Sequence, residues 1–282
     1  MGIKGVVLAG GSGSRLDPLS RVTNKHLLPV YDRPMIFYPI EALRRSGIEE
    51  VLVVTGGNDP GDFLRLLGDG SELGLRHIEY AYQQGHGGIA HALSLAEHFA
   101  AGGPICVVLG DNIVHKVFAS SVTAFLQQGR GARVHLSPVS APQRFGVPEL
   151  DGDRIVQIVE KPKRPPSTYA VTGIYMYDNR VFEVIRSLKP SARGELEITD
   201  VNNDYIRREE MSWTVLDGWW TDAGTFESLH EASNLVWQYR ANNPEVVPGV
   251  PHPSLRTDDA VKAEAAPSPP ARRVARAQKG RR

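Results

Sequence analysis

The segment Ile3-Lys-Gly-Val-Val-Leu-Ala-Gly-Gly-Ser-Gly-Ser-Arg15 decides the fold, because a mostly apolar run, Ile3–Leu8, predicts a buried strand that ends in a glycine-serine loop. Glycines let backbone N–H groups turn toward an anion. Arg15, and Lys25 in the following Asn24–Pro29 stretch, add two cations where a triphosphate would sit. We interpret the loop as a phosphate cradle. A glycine-rich turn that only connects strand to helix is the alternative.

Short apolar runs rich in valine and isoleucine recur through the first half of the chain. They occupy Gly5–Leu8, Val51–Val54, Ile78–Tyr82, Ile105–Leu109 and Val134–Val139. Segments with helical spacing lie between them, for example after Pro34 and after Gly88. Strands that alternate with helices predict an α/β fold with a Rossmann-like, mostly parallel sheet and helices on both faces. Ligands of such a sheet bind outside the carboxyl ends of its strands.

The pattern changes from about Asp151 onward. Strand-like runs occupy Ile155–Val159, Tyr169–Tyr177 and Trp213–Leu216, and helical segments occupy Val181–Leu188 and Phe226–Tyr239. We interpret these elements as an inserted mixed β layer, built onto the first sheet, that supplies the far wall of a cleft.

The composition predicts one large folded domain and a tail. The chain has 282 residues, of which 41% are hydrophobic, so residues 1–241 can bury a large core. Residues 242–282 are rich in proline and alanine and then basic, and we expect them to be disordered. Residues 256–282 hold eight Lys or Arg against three Asp or Glu, which leaves a formal net charge of −5 on the remainder. No nucleic acid is expected as a partner of the folded domain.

Three further features bear on compartment. The single cysteine, Cys106, excludes an intramolecular disulfide and lies in an apolar run typical of a core strand. No stretch approaches the roughly 20 apolar residues that a membrane span needs. The chain also enters a strand at once, without an apolar signal region, so we expect a cytoplasmic protein with no membrane partner.

Two carboxylates are candidate ligands of a divalent cation. Asp111 follows the run Ile105–Leu109 and is therefore expected at the carboxyl edge of the sheet beside the glycine loop. Asp222 follows two tryptophans far along the chain. The alternative for Asp111 is a plain turn, and the alternative for Asp222, favoured when that segment is taken alone, is a cap for the helix that begins near Thr225.

Two further segments of the sequence are densely polar. Glu160 and Lys161 end a predicted strand, where they could contact a sugar hydroxyl and a phosphate, or form a solvated surface ion pair. The run Arg193–Asp200 could be an acid-rich helix N-terminus and nothing more.

Together, and in this order, these segments resemble the sugar-nucleotide pyrophosphorylases, a nucleotidyltransferase family. The matching segments, which span residues 1 to about 240, are Leu8–Leu16, Asn24–Pro39, Leu66–Ser71, Leu109–Asn112, Glu160–Pro162, Ala170–Asp178, Leu188–Asp200 and Asp222–Ser233. The resemblance implies attack by a sugar 1-phosphate on the α-phosphorus of a nucleoside triphosphate, with release of pyrophosphate. It implies dTTP and glucose 1-phosphate as substrates, and leaves UTP, another nucleoside triphosphate or another sugar 1-phosphate open.

The resemblance also implies roles for individual residues. The catalytic set is Arg15, Lys25, Asp111 and Lys161, with Mg²⁺ held by Asp111 and Asp222. The nucleotide-binding set is Leu8, Gly10, Gly11, Ser12, Gly13, Gln83 and Gly88. The sugar-binding set is Asn112, Gly146, Glu160, Lys161 and Thr172. The attacking phosphate is already ionised, so the chemistry requires no general base.

The chain departs from the family pattern in places. After Gln83 the pattern has prolines and a Gly-Leu-Ala-Gln-Ala helix start, whereas this chain has Gln84-Gly-His-Gly-Gly-Ile-Ala-His-Ala92. Phe145 stands where the family often has tyrosine. The resemblance implies a homo-oligomer. The longer members carry a C-terminal helical segment for subunit contacts and a regulatory nucleotide site, but the recognisable sequence here stops near Asn243.

Two functions of other classes are alternatives to nucleotidyl transfer. A non-catalytic nucleotide-sugar-binding protein would not need both metal carboxylates. A dinucleotide-dependent oxidoreductase needs Gly-x-Gly-x-x-Gly, and Leu16 occupies the last glycine position counted from Gly11.

Overall fold

The structure is a computed structural model in which residues 2–57 and 60–242 are described, with side chains described as far as Tyr239. The predicted tail, residues 242–282, lies outside the described residues except for Asn242.

A mixed seven-stranded sheet forms the centre of the fold, with short strands beside it. The strands are β1 Lys4–Ala9, β2 Pro29–Val30, β3 Arg33–Pro34, β4 Glu50–Gly56, β5 His77–Gln83, β6 Ile105–Leu109, β7 Asn112–Val114, β8 Ala132–Pro138, β9 Gly146–Asp151, β10 Arg154–Glu160, β11 Tyr169–Tyr177, β12 Met211–Val215 and β13 Trp220–Asp222. The helices are α1 Phe37–Arg45, α2 Gly61–Leu67, α3 Ile89–Ser94, α4 Glu97–Ala100, α5 Ala119–Gln128, α6 Val181–Ser187, α7 Ile198–Arg207 and α8 Phe226–Asn242. The sheet order is β12-β8-β11-β6-β1-β4-β5, and every neighbouring pair except the two that involve β11 is parallel.

Strand β1 lies inside the sheet and is buried on both faces. It pairs in parallel with β4 and with β6, so its backbone is hydrogen-bonded on both edges. Because successive side chains of a strand point to opposite faces, Val6 belongs to one core and Val7 to the other. Residues of α3, α6 and α7 join the first core, and residues of α1, α2 and α5 join the second. The predicted α/β class, with helices on both faces, is confirmed.

The predicted membership of the second β layer was wrong for two strands. β11 and β12 belong to the main sheet, where β11 pairs with β6 and β8, and β12 pairs with β8. Their apolar residues pack in the same cores as those of the first strands. A local sequence pattern does not distinguish a strand of the main sheet from a strand of a separate layer. The β9–β10 hairpin lies outside the main sheet, and β10 ends at Glu160 on the side of the cleft described below.

A short ribbon brings two distant parts of the chain together. β13 pairs antiparallel with β7, in a register that places Asp222 opposite Asn112. Beneath the ribbon, Ile113 and Ala223 pack with residues of α8 in a small third core. This pairing carries the second predicted carboxylate to the edge of the sheet where the first one lies.

Two further sequence predictions concern the single cysteine and membrane spans. Cys106 is fully buried in β6, where burial raises the pKa of its thiol, as expected for a core residue. No helix among the described residues is both long enough and apolar enough to cross a membrane.

We predict that Phe182→Ala destabilises the protein by about 3–5 kcal/mol, because Phe182 is 1% exposed and its loss leaves a cavity in the first core. Chemical denaturation measures the difference in the free energy of unfolding. Leu126→Ala, on the exposed side of α5, is the control and should cost less than about 1 kcal/mol. Equal losses for the two variants would contradict the assigned core.

Candidate active site

A cleft of about 430 Å³ lies at the carboxyl ends of β1, β5 and β6. Of the residues predicted from the sequence, those that line it are Leu8, Gly10, Gly11, Ser12, Arg15, Lys25, Gln83, Gly88, Asp111, Asn112, Gly146, Glu160, Lys161 and Asp222. Gly13 and Thr172 are not among the lining residues. The cleft therefore brings together residues that are spread along the sequence from position 8 to position 222.

The glycine loop is packed too closely for side chains at two points. A Cβ on Gly56, at the end of β4, would lie 2.9 Å from the Cα of Gly10. A Cβ on Gly10 would lie 2.6 Å from the Oε1 of Gln83. The loop then turns at Gly13, whose φ is +67°, into a short 3₁₀ turn that buries Leu16 and leaves Arg15 exposed at the cleft. Close packing thus fixes the backbone of the loop while its cation stays accessible.

Lys25 is held by its neighbours in a short 3₁₀ turn. The side chain of Asn24 caps this turn by accepting from the backbone N–H of His26 at 3.0 Å, and its amide donates to the carbonyl of Gly56 at 3.2 Å. These bonds tie the turn that carries Lys25 to the end of β4.

An ion pair between Lys25 and Asp111 crosses the floor of the cleft. The Nζ of Lys25 lies 2.6 Å from Oδ2 of Asp111, and the two side chains are 11% and 13% exposed. Burial acts to raise the pKa of Asp111, but the Lys25 ammonium and hydrogen bonds from Lys25 and Asn112 hold it well below its usual range. Asp111 is therefore a carboxylate.

Asp222 reaches the same space from the other side. The backbone N–H of Ala223 donates to the carbonyl of Asp111 at 2.8 Å, which fixes the two segments against each other. Burial, and then the charge of Asp111, raise the pKa of Asp222 to about 6. The two carboxylates therefore repel each other in this cleft.

Repelling, buried carboxylate oxygens form a donor set that suits a hard divalent cation such as Mg²⁺, which commonly takes one or two carboxylates and completes its shell with water and substrate phosphates. Asp111 and Asp222 fit that description. Within the part of the chain that the structure describes, no group of three or more His, Cys, Asp or Glu side chains could hold a metal ion.

The interpretation of Asp222 as a helix cap, which its local sequence favoured, was wrong. Asp222 lies in β13, and the turn before α8 is closed by Thr225 and Ser228. The N–H of Ser228 donates to Oγ1 of Thr225 at 3.2 Å, and the N–H of Thr225 donates to Oγ of Ser228 at 3.1 Å. The Asp222 carboxylate is thereby left to the cleft.

Asn112 is held from two sides. Its Oδ1 accepts from the backbone N–H of Gly173 at 2.8 Å and from the indole N–H of Trp220 at 2.6 Å. A Cβ on Gly173 would lie 2.7 Å from this amide, so the close approach needs glycine. Asn112 thus joins β11 and β13 to the end of β6.

The far wall of the cleft carries Glu160 and Lys161. Oε2 of Glu160 accepts from the hydroxyl of Thr199 at 2.8 Å, while Nζ of Lys161 lies 3.2 Å from Oε1 of the same carboxylate. Lys161 is half-exposed and has a φ of +44°. The ion pair predicted as the alternative is present, and both residues also line the cleft.

Thr172 is placed differently from the sequence prediction. Its side chain is fully buried and donates to the carbonyl of His135 at 3.0 Å. Its neighbours Val171 and Gly173 line the cleft. The Thr172 hydroxyl is thus used inside the sheet.

Some cleft residues were missing from the sequence prediction. They include Arg144, Phe145, Tyr175, Arg193, Glu195, Glu197 and Trp220. Arg193 is the most connected of them, with its guanidinium 2.8 Å from Glu197, 3.7 Å from Glu195 and 3.8 Å from Glu160. The dense polar run Arg193–Asp200 was the signal that could have found the acids, although its local pattern is also that of a helix start.

Comparison with known proteins finds similar sequences over most of the chain. The family model described as nucleotidyl transferase matches residues 4–238. A glucose-1-phosphate thymidylyltransferase of Neisseria meningitidis is 48% identical over 238 residues, which cover 83% of this chain and 82% of that protein. Another, from Mycolicibacterium smegmatis, is 43% identical over 237 residues, with the same coverage.

Solved structures give the same result. A Bacillus anthracis chain assigned as a glucose-1-phosphate thymidylyltransferase, crystallised with sucrose, superposes with a TM-score of 0.80 at 48% identity, covering 83% of this chain and 94% of that one. A UDP-glucose pyrophosphorylase complexed with UDP-glucose superposes with a TM-score of 0.74 at 26% identity, covering 85% of this chain and all of that one.

We predict that Lys25→Met lowers the free energy of unfolding by about 3 kcal/mol, because it leaves the buried Asp111 carboxylate without its cation. The double variant Lys25→Met/Asp111→Asn should recover at least about half of that loss, since the uncompensated charge is gone. Denaturant titration of the three proteins without nucleotide provides the measurement. A double variant no more stable than Lys25→Met would show that the loss does not come from the unpaired carboxylate.

Proposed function

Because the chain belongs to the nucleotidyl transferase family, we propose that it transfers the thymidylyl group of dTTP to glucose 1-phosphate, forming dTDP-glucose and pyrophosphate. The observation that carries this proposal is the meeting, in one cleft, of a glycine loop with two cations, a pair of carboxylates and Lys161. The relatives that are 40–48% identical and bear the name of this activity support the choice of substrates.

The proposed reaction is a single displacement at phosphorus. A phosphate oxygen of glucose 1-phosphate forms a bond to the α-phosphorus of dTTP, and the bond from that phosphorus to the oxygen shared with the β-phosphate breaks. The electron pair leaves with pyrophosphate. The attacking oxygen is already ionised, so positioning and charge neutralisation supply most of the acceleration.

The triphosphate lies, in this proposal, along the glycine loop. Gly11 and Ser12 line the cleft, where their backbone N–H groups would bind the phosphates, and Arg15 and Lys25 would neutralise the β- and γ-phosphates. The interaction of Arg15 with the phosphates is strongest in the transition state, because negative charge accumulates on the departing pyrophosphate. The bond from Lys25 to Asp111 holds the ammonium group in place.

Asp111 and Asp222 would hold Mg²⁺, which when bound neutralises phosphate charge and orients the α-phosphate. The mutual repulsion of the two carboxylates supports this assignment.

The sugar phosphate occupies the opposite wall. Lys161 binds its phosphate, while Asn112, Glu160 and the backbone of Gly146 contact the hexose. Asn112 and Glu160 already have fixed partners, so they meet the hydroxyls in a set orientation and lose little freedom on binding. The ring of Phe145 makes an edge contact with that of Trp220, with the ring centroids 5.3 Å apart. Phe145 therefore gives this wall an apolar surface where the family often has a tyrosine hydroxyl.

Uridylyl transfer from UTP is the second candidate. The neighbour solved with UDP-glucose shares the fold at 26% identity, and the imide edge of uracil is identical to that of thymine. The predicted homo-oligomer and cytoplasmic location stay predictions.

We predict pyrophosphate release from dTTP and glucose 1-phosphate in the presence of Mg²⁺, and a loss of roughly 10²–10³-fold in kcat for Asp111→Asn, because the metal and phosphate site loses a charge. A coupled pyrophosphate assay measures the rate with each nucleoside triphosphate and several sugar 1-phosphates. Circular dichroism verifies that the variant is folded. Absence of turnover with every pair would favour the non-catalytic nucleotide-sugar-binding protein.

We predict that Lys161→Met raises the KM for glucose 1-phosphate by about 10–100-fold, the worth of one charge-assisted hydrogen bond, and changes the KM for dTTP by less than about threefold. Lys163→Met, an exposed lysine two residues further on, is the matched control and should leave both values unchanged. An equal rise in the two KM values for Lys161→Met would argue against a contact with the sugar phosphate.

A further inference from the structure

The amide of Gln83 is buried at one end of the cleft and bonded twice through its nitrogen. Gln83 is 6% exposed, and its Nε2 lies 3.1 Å from the carbonyl oxygen of Gly88 and 3.2 Å from Nδ1 of His91. A carbonyl oxygen can only accept, so the NH₂ group of Gln83 must face Gly88. Its second hydrogen then points to His91.

This arrangement leaves the Gln83 side chain with one hydrogen-bonding group that has no partner among the described residues. Both N–H hydrogens are used inside the protein, so the group that remains is the carbonyl oxygen Oε1. Oε1 is directed at the glycine loop, where a Cβ on Gly10 would lie only 2.6 Å away. Toward the cleft, Gln83 is therefore an acceptor without a donor.

His91 must accept for this to hold. A nitrogen that receives a hydrogen bond carries no proton, so His91 has its proton on Nε2 and is neutral. Its ring sits where a side chain on the preceding loop would collide, since a Cβ on Gly87 would lie 2.3 Å from Nδ1.

The loop before His91 is pinned to another part of the chain. The N–H of Leu196 donates to the carbonyl of Gly87 at 2.8 Å, and the N–H of Ala90 donates to the carbonyl of Leu196 at 3.1 Å. Gly88, whose carbonyl holds Gln83, lies between these two bonds. The positions of both acceptors, Gly88 and His91, are thus set by the fold.

We propose that His91 is a positioning residue for base selection, which holds the Gln83 amide so that it presents only Oε1 to the nucleotide. This rests on the proposed function and on the predicted nucleotide-binding role of Gln83, which we assign to the base of the nucleotide because Gln83 lines the cleft at the end of β5. The N3–H of thymine or uracil is a donor and pairs with Oε1. The N3 of cytosine is an acceptor, so in its place two lone pairs face each other in a buried site, which is unfavourable. His91 thereby favours imide bases over cytosine without touching the base.

The test compares the affinities of dTTP and dCTP by isothermal titration calorimetry without sugar phosphate, so that binding is measured without turnover. His91→Leu removes the acceptor and should lower the dTTP-over-dCTP affinity ratio by about 10-fold, the worth of one hydrogen bond. His91→Asn keeps an oxygen near the place of Nδ1 and should stay within about threefold of the original ratio. His98→Leu, an exposed histidine on α4, is the control and should not change it.

A second measurement needs no destabilising variant. Long-range ¹H–¹⁵N correlation spectra of the unaltered protein, with the His91 signals identified by their loss in His91→Asn, report which ring nitrogen carries the proton. A neutral ring protonated on Nε2 supports the proposal. A proton on Nδ1 overturns it, and so does an unchanged affinity ratio in a folded His91→Leu protein.

The proposed function and the role of His91 are tested by different measurements. Pyrophosphate release by the unaltered protein tests that function, whereas the affinity ratio and the tautomer test His91. A protein with no turnover but a His91-dependent preference for dTTP would overturn the function and keep the inference. Turnover with a ratio indifferent to His91 would do the opposite.

Discussion

The buried ion pair between Lys25 and Asp111 is the interaction on which the rest of the cleft depends. Each partner would be costly to bury alone, and each comes from a different strand end: Asp111 follows β6, and Lys25 comes from the segment after β1. Their pairing keeps a carboxylate charged in a site that otherwise disfavours charge, and it holds an ammonium group where a triphosphate would lie. Asp222 differs from Asp111, because no described residue forms a salt bridge with it and its pKa is raised by burial and by the charge of Asp111.

The sheet explains why these groups can meet at all. β1, β4, β5 and β6 are parallel, so the loops that follow them emerge at one edge. Polar residues placed after these apolar strands are therefore collected at that edge, however far apart they lie in the sequence. The antiparallel β7–β13 ribbon then adds a carboxylate from far along the chain by ordinary backbone pairing.

Several polar side chains of the cleft are held in one orientation by hydrogen bonds within the protein. Asn112 is bonded to Gly173 and Trp220, Glu160 to Thr199, and Gln83 to Gly88 and His91. Ordering these groups in advance reduces the entropy lost when a nucleotide and a sugar phosphate bind. It also gives direction to each group, so that a glutamine amide, which could donate or accept, is reduced to one of these roles.

The sequence by itself determined the α/β class, the glycine loop with its cations and the position of Asp111, because apolar runs, glycines and the residue after a strand are local features. The tertiary structure decided that β11 and β12 join the main sheet, that Asp222 faces Asn112, that the Thr172 hydroxyl turns into the sheet and that Arg193 meets three carboxylates. Each of these depends on which distant segments pair and in what register. A one-residue change of register would send a strand side chain to the opposite face. The sequence of one strand does not show which distant segment becomes its partner.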